Sequence, residues 1–397
     1  MIYDIISKKN VFLTRLFIRV GIQMKSFGLW YQRKDNQTRE ISEEMDRQKE
    51  PQFSLHVNFW SLEDIKTTEN LKNPILDIGI KIKNYEELKN LTFYCPFAID
   101  KSLIYDLSNK LAKKNNASII FNTDCEIQTK DSYTIVEIIE HEEQLLVFPL
   151  EQVIKDIYQI KRDLGRNQSG TQIVFSFESF YKYVQSVEKL KEMDTLYIRF
   201  RIKNVSLKDY IYFDSEPINK SFESAFSGTR IIDFKVNEKR NIDEDIRAEI
   251  IVNKQKWATF KDVHFLVMVP SSYDLTSFYK KTMTCRELEE DLWDDYLETS
   301  IDFSKGHVLA YHWRDKEEES KKCEDFACLV KVNYSRAEKS TIALYMLSVI
   351  ALGILSSMFV TSLAVRFCAL SKEYFAWGLG TVAFCFIIIF LSGKKSR

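Results

Sequence analysis

The chain has 397 residues, 45% apolar and 28% charged, with a formal net charge of −1, which excludes a disordered chain, a collagen-like repeat and a disulfide-built miniprotein. Only 11 glycines and 6 prolines accompany 28 Phe, 19 Tyr and 6 Trp, so glycine-built phosphate loops have little material and aromatic-rich strands are favoured. The charge is uneven, +6 over residues 1–34, −11 over 35–339 and +4 from 340 onward, which excludes a broad nucleic-acid surface on the body and suits ends that meet an anionic membrane.

Residues 1–34 form a basic amphipathic segment. Phe12, Leu13, Leu16, Phe17, Val20 and Met24 share one helical stripe, flanked by Arg15 and Arg19. Such a helix either lies in the membrane interface with its stripe in lipid or packs that stripe against the body. Residues 35–51, rich in Lys, Arg, Glu, Gln and Asp, read as a polar linker.

The body carries an internal repeat at an offset of 120. Leu76–Asn84 (LDIGIKIKN) recurs as Leu196–Asn204 (LYIRFRIKN), and Phe53–Val57 aligns with Ile173–Phe177. With one residue of slippage, Leu145–Pro149 aligns with Phe265–Pro270. Segments repeated in order at one spacing point to two related β units, 52–150 and 172–275, joined by a connecting helix and linker over 151–171. Period-two alternation at Leu76, Ile78, Ile80 and Ile82, and at Leu196, Ile198, Phe200 and Ile202, marks strands with one buried face. Further strands are expected at Ser118–Asn122, Tyr133–Ile139, Thr229–Val236 and Ile246–Val252, with helical insertions at Asp100–Lys114 and Glu178–Met193. Residues 276–339 are expected to supply an acidic helix over Cys285–Leu297 and extra strands at His307–Trp313 and Phe326–Val332, leading to the membrane.

From Ser340 to Val365 the chain has no charge, and a second uncharged run extends from Tyr374 to Gly393. Both reach the roughly 20 residues that cross a hydrocarbon core, and the short connection between them makes a hairpin. Lys331, Arg336, Lys339, Lys394, Lys395 and Arg397 outside the hairpin, against Arg366 and Lys372 in its loop, place the body and C-terminus in the cytosol. Seven scattered cysteines agree with a reducing compartment. Gly353 with Ser357 and Ala376 with Gly380 have the small-xxx-small spacing of close helix packing, within the hairpin or between copies in a homo-oligomer.

Enzyme motifs are lacking: no GxxxxGK[ST], GxGxxG, HExxH or GxSxG occurs. His307, His312, Cys323 and Cys328 are the nearest approach to a metal set. His307 and His312 fall on opposite faces of one strand, so no metal and no cofactor is expected. Glu287, Glu289, Glu290, Asp291, Asp294 and Asp295 read as the solvated face of a helix. Arg199, Arg201 and Lys203 alternate with the apolar row of their strand, and with Arg230 they are the candidate ligand residues, since guanidinium groups suit phosphate or acidic partners. The default for this row is solvation or cross-strand pairing.

The sequence thus specifies a mostly β (α+β) cytosolic region of two tandem β-sandwich-like units with helical insertions, held in an inner or plasma membrane by a two-helix hairpin. Its partners are the lipid bilayer, a protein or small anionic ligand, and other copies of itself, with no nucleic acid. The expected function is a non-enzymatic sensor whose β units bind a ligand and whose hairpin acts as effector. This layout is similar to that of membrane effectors of bacterial anti-phage defence systems, which implies ligand-driven association of hairpins. The alternative is a passive scaffold for which the hairpin is only an anchor, and an unrecognised enzyme ranks third.

Overall fold

The computed structural model describes residues 25–34, 50–63, 73–130, 132–162, 168–215, 227–278, 283–289, 292–299, 307–317, 323–335, 339–365 and 380. The stripe of the expected N-terminal helix, nearly all of the 35–51 linker and the second span at 374–393, apart from Gly380, lie outside them. Strands predominate. The first are β1 (Gly28–Arg33), β2 (Gln52–Trp60), β3 (Ile75–Lys83), β4 (Leu88–Cys95), β5 (Ile104–Asp106), β6 (Cys125–Lys130) and β7 (Tyr133–Ile138). They are followed by β8 (Glu143–Val147), β9 (Ile154–Arg162), β10 (Gln168–Ser176), β11 (Thr195–Ile202), β12 (Tyr212–Ser215) and β13 (Ser227–Val236). The last six are β14 (Lys256–Trp257), β15 (Phe260–Pro270), β16 (Asp274–Ser277), β17 (Met283–Glu287), β18 (Val308–Lys316) and β19 (Phe326–Ser335). Helices are short, namely α1 (Ser108–Leu111), α2 (Lys114–Phe121), α3 (Leu150–Val153), α4 (Glu178–Ser186), α5 (Glu244–Val252) and α6 (Asp294–Leu297), except for α7 (Lys339–Val365).

The strands form a large central sheet, ordered β17-β18-β15-β2-β3-β11-β8-β7-β6 with β5 beside β11, a five-stranded sheet β14-β1-β4-β10-β9 and a four-stranded sheet β12-β13-β19-β16. The chain divides into two compact units, Met1–Asp214 with Arg230–Val332, and Ser215–Thr229 with Asn333–Arg397. Strand alternation builds the first. Leu55, Val57, Phe59, Ile78, Ile80, Ile198, Phe200, Val263 and Phe265 are buried on one face of the central sheet, because side chains two apart share a face. Phe200 of this face meets Phe93 of β4 at 5.8 Å and Phe175 of β10 at 6.2 Å, and Phe265 stacks on Phe234 of β13 at 4.8 Å. Aromatic pairs at such separations carry much of a core's burial energy.

The repeated segments are neighbours. β3 and β11 pair antiparallel with Gly79 opposite Arg199, two residues 120 apart. Asn84 and Asn204, also 120 apart, both adopt left-handed backbone, φ 57° and 62°, as asparagine does more readily than most residues. Beyond this pair the two stretches interleave: β2 belongs to the central sheet, whereas β10, its repeat counterpart, belongs to the five-stranded one. Residues 52–150 and 172–275 therefore share sheets and are not two separate sandwich-like units. Each repeat strand has one apolar face, and placing both in the same layer buries that face against one common core.

Several elements differ from expectation. Ser118–Asn122 lies in and after α2, which Asn122 ends in left-handed conformation (φ 53°). Ile246–Val252 belongs to helix α5, where Glu244 and Asp245 occupy the first turn and favour the positive end of the helix dipole. Ile246 and Ile250, four apart on one face, pack with Trp30, Tyr94 and Ile242, while Ile251 and Val252 stay exposed. Asp100–Lys114 is broken into short pieces (β5, α1) because Asp106 accepts hydrogen bonds from the Ser108 amide and hydroxyl, a local turn that competes with helix. The 151–171 connector, where described, is mainly strand, holding β9 and the start of its antiparallel partner β10, and the Cys285–Leu297 helix is replaced by strand β17 and the short α6. Glu178–Met193 starts as expected with α4, burying Phe180 and Val184.

In the second unit, α7 coincides with the first expected span. Ile342–Thr361 is long and apolar enough to cross a membrane, and its 27 residues extend about 40 Å at 1.5 Å each, against a hydrocarbon core of roughly 30 Å. Ser348 and Thr361 hydroxyls bond back to the Leu344 and Ser357 carbonyls, so both donors are satisfied within the helix. A Cβ added at Gly353 or at Gly380 would meet nothing within 4 Å, so no packing partner for either is present among the described residues. Ala376 lies outside them.

Candidate functional site: a histidine row on the central sheet

The second face of the central sheet is polar, and strand register aligns it. His264 of β15 lies opposite His56 of β2, His56 opposite Gly79 of β3, and Gly79 opposite Arg199 of β11. On the other side Arg314 of β18 faces His264, and His312 lies two residues along. The row floors a cleft of about 1320 Å3 that is also lined by Lys81, Asp262 and Trp293.

His56 Nδ1 lies 3.2 Å from the Tyr197 hydroxyl. The hydroxyl also accepts from Arg199 Nη1 at 2.9 Å, and both side chains reach across β3 because residue 79 has no side chain. A Cβ there would lie 2.2 Å from the Tyr197 hydroxyl oxygen. His264 Nδ1 is 2.9 Å from His312 Nε2, and the two rings stack at 5.1 Å. His264 Nε2 is 3.6 Å from Asp262 Oδ2, which accepts from Arg314 Nη2 at 3.1 Å. Burial, with His264 adjacent, holds His56 well below its ordinary value. Burial, then His264 and Arg314, pushes His312 down to about 4. Burial works to raise the Asp262 carboxyl, but the adjacent His264, then Ser54 and His56, outweigh it and hold it far below the usual carboxylate range. Two buried polar atoms here lack hydrogen-bond partners among the described residues, Arg199 Nη2 and Asp262 Oδ1.

The four residues expected to meet a ligand have separate fates. Arg199 and Arg201 are not solvated: they are 2% and 1% exposed. Arg201 is locked onto its cross-strand partner Asp77 by Nε at 2.7 Å and Nη2 at 3.0 Å. Asp77 also accepts from Tyr296 and Trp60 at 2.8 and 3.0 Å. α6 supplies Tyr296 and, just before it, Trp293, which roof this end of the sheet together with Trp60 and Leu297. Lys203 lies 3.9 Å from Glu298 and over the Tyr105 ring. Arg230 is held by Glu63 and Asp214. Of the four, only Arg199 lines the cleft.

The His307, His312, Cys323 and Cys328 set is not brought together. His307 is exposed and pairs with Glu287, and Cys328 is buried in β19. Among the acidic residues of 287–295, Asp295 is tied to Lys113 and Asn116, Glu289 to Arg286, and Glu290 and Asp291 lie outside the described residues. The grouping the structure makes is His56, Asp262 and His264, whose ligand atoms lie within 4.8 Å of one another. These positions are up to 208 apart in sequence, so spacing carried no signal. A weaker one existed: Leu55-His56-Val57, Val263-His264-Phe265 and Tyr311-His312-Trp313 each set a histidine between apolar neighbours, hence on the polar face of a half-buried strand.

No family model matches the chain and no curated protein does. Among solved structures, the Fcho1 Mu homology domain of Danio rerio with bound Eps15 peptide aligns over 72% of this chain and 79% of that one, at 8% identity and a TM-score of 0.15. A TM-score this low defines no shared fold.

Proposed function

We propose that the protein is a membrane-anchored sensor whose β body binds a small anionic ligand in the cleft above the histidine row. The observation that carries this reading is Arg199, a buried guanidinium at the wall of a polar cleft with one nitrogen that has no partner among the described residues. An unmade hydrogen bond at a buried charged donor is costly, and an anionic oxygen arriving from the cleft makes it. In this reading α7 and the uncharged run at 374–393 form a two-pass hairpin, the body faces the cytosol, and ligand binding brings hairpins of several copies together, as in an anti-phage effector. Specialised pockets combine an apolar wall with few converging polar groups, and Trp293, Leu266 and Ala310 supply such a wall here.

Inorganic phosphate and a nucleoside monophosphate, titrated into metal-free full-length protein, test the reading by calorimetric melting. The wild type is expected to gain stability that grows logarithmically with ligand, about 2.7 kcal/mol at a hundredfold excess over Kd, and Arg199→Gln to gain none. Equal gains in both proteins, or none in either, count against it. Membrane anchoring has its own test. Leu352, exposed on α7, sits near the middle of the span, and a central arginine is costly in lipid. Leu352→Arg combined with removal of residues 374–393 is expected to move the chain from the carbonate-resistant to the soluble fraction, and retention in membranes at wild-type level refutes the anchor.

A further inference from the structure

The geometry points to a mononuclear transition-metal site of the zinc or iron class formed by His56, Asp262 and His264. It does not rest on the anion reading, since Arg199 is no ligand. Three observations carry it. First, the ligand atoms of the three side chains lie within 4.8 Å of one another on adjacent strands, so an ion about 2.1 Å from each is reached by drawing them in by roughly an ångström.

Second, His264 Nε2 and Asp262 Oδ2 stand 3.6 Å apart. This is too long for a hydrogen bond and near the roughly 3.0–3.5 Å that separates two ligands of one ion. Asp262 Oδ1 is buried without a hydrogen-bond partner among the described residues, so part of this carboxylate is still owed an electrophile.

Third, an orienting shell already surrounds the candidate ligands. His56 Nδ1 is engaged by Tyr197, His264 Nδ1 by His312, and Asp262 by Arg314. In metal sites the second ring nitrogen of a ligating histidine is held in this way, which fixes the tautomer and aims the other nitrogen at the ion. Two imidazoles and one carboxylate select zinc, iron, nickel or copper over calcium and magnesium. The three ligands line the cleft, so the remaining coordination positions open to it.

Chelator-treated full-length protein titrated with Co2+, followed by its visible d–d absorption and by metal analysis after desalting, tests the site. One ion per chain at micromolar affinity or tighter is expected. His264→Gln and Asp262→Asn should each weaken uptake at least about tenfold, with circular dichroism spectra matching the wild type. His307→Gln, at an exposed histidine, should leave uptake unchanged. His312→Gln, which removes only the orienting group, gives a second readout if a ligand variant does not fold, and should weaken binding by about 10–100-fold. No d–d band, or equal uptake by wild type, His264→Gln and His312→Gln, overturns the proposal. A phosphate-induced stabilisation that survives such a result leaves the anion reading standing, so the two fail separately.

Discussion

Arg201→Met is expected to destabilise the protein by about 3–5 kcal/mol, because removing one partner of a buried ion pair leaves the other charge uncompensated. Against a total stability of about 5–15 kcal/mol for a typical domain, that is a large share. Asp77, fully buried, would keep the Tyr296 hydroxyl and the Trp60 indole as donors, which soften the loss without replacing a guanidinium that contributes two hydrogen bonds. Arg201 Nη1 also reaches the Tyr296 and Leu297 carbonyls at 3.2 and 3.4 Å, so α6 should loosen with it. Urea unfolding monitored by tryptophan fluorescence measures the change, since Trp60 and Trp293 pack on Tyr296. The double variant Asp77→Leu/Arg201→Met should lose less than the sum of the single losses, by about 1–3 kcal/mol of coupling. A loss below about 1 kcal/mol for Arg201→Met would show that the pair does not secure the roof of the sheet.

Gly79→Ala is the second large effect. The new methyl would stand 2.2 Å from the Tyr197 hydroxyl oxygen and 2.9 Å from Arg199 Nη1. Neither atom can yield freely. Tyr197 is fully buried among Val136, Leu145 and Val147, and Arg199 is tied to Tyr296 at 2.8 Å. Overpacking of this kind costs about 1–3 kcal/mol, and a value near the upper end is expected because two bonded side chains must move. The displacement should also break the Tyr197 contact with His56, so Co2+ affinity should fall together with the melting temperature. Unaltered melting would mean that Tyr197 can leave its place at no cost.

Much of the central sheet was legible because alternation is a local property. The alternation at Leu76 to Ile82 and Leu196 to Ile202 marks one buried face of each strand, as found, and α7 follows from an uncharged run long and apolar enough to cross a membrane. The segments Ser118–Asn122 and Ile246–Val252, which lie at the end of α2 and within α5, are rich enough in isoleucine and other β-favouring residues to suit a strand equally well. The decision rested on a left-handed Asn122 in one case and on burial of Ile246 and Ile250 in the other. For the candidate site, Arg199 was selected for its charge. Its neighbours His56, Asp262 and His264 were not, since each is unremarkable in its own segment.

By itself the sequence determined which residues face inward along each strand, where an apolar span lies, and that the body carries an acidic excess between basic ends, because all three are set by residue type and short-range period. Only the tertiary structure decided that the repeated strands lie side by side, that Arg201 is spent on Asp77 while one Arg199 nitrogen finds no partner among the described residues, and that three histidines from distant segments converge. The reason is register: one residue of slip along β2 or β15 would turn these side chains to the other face, and register is fixed by packing over the whole sheet.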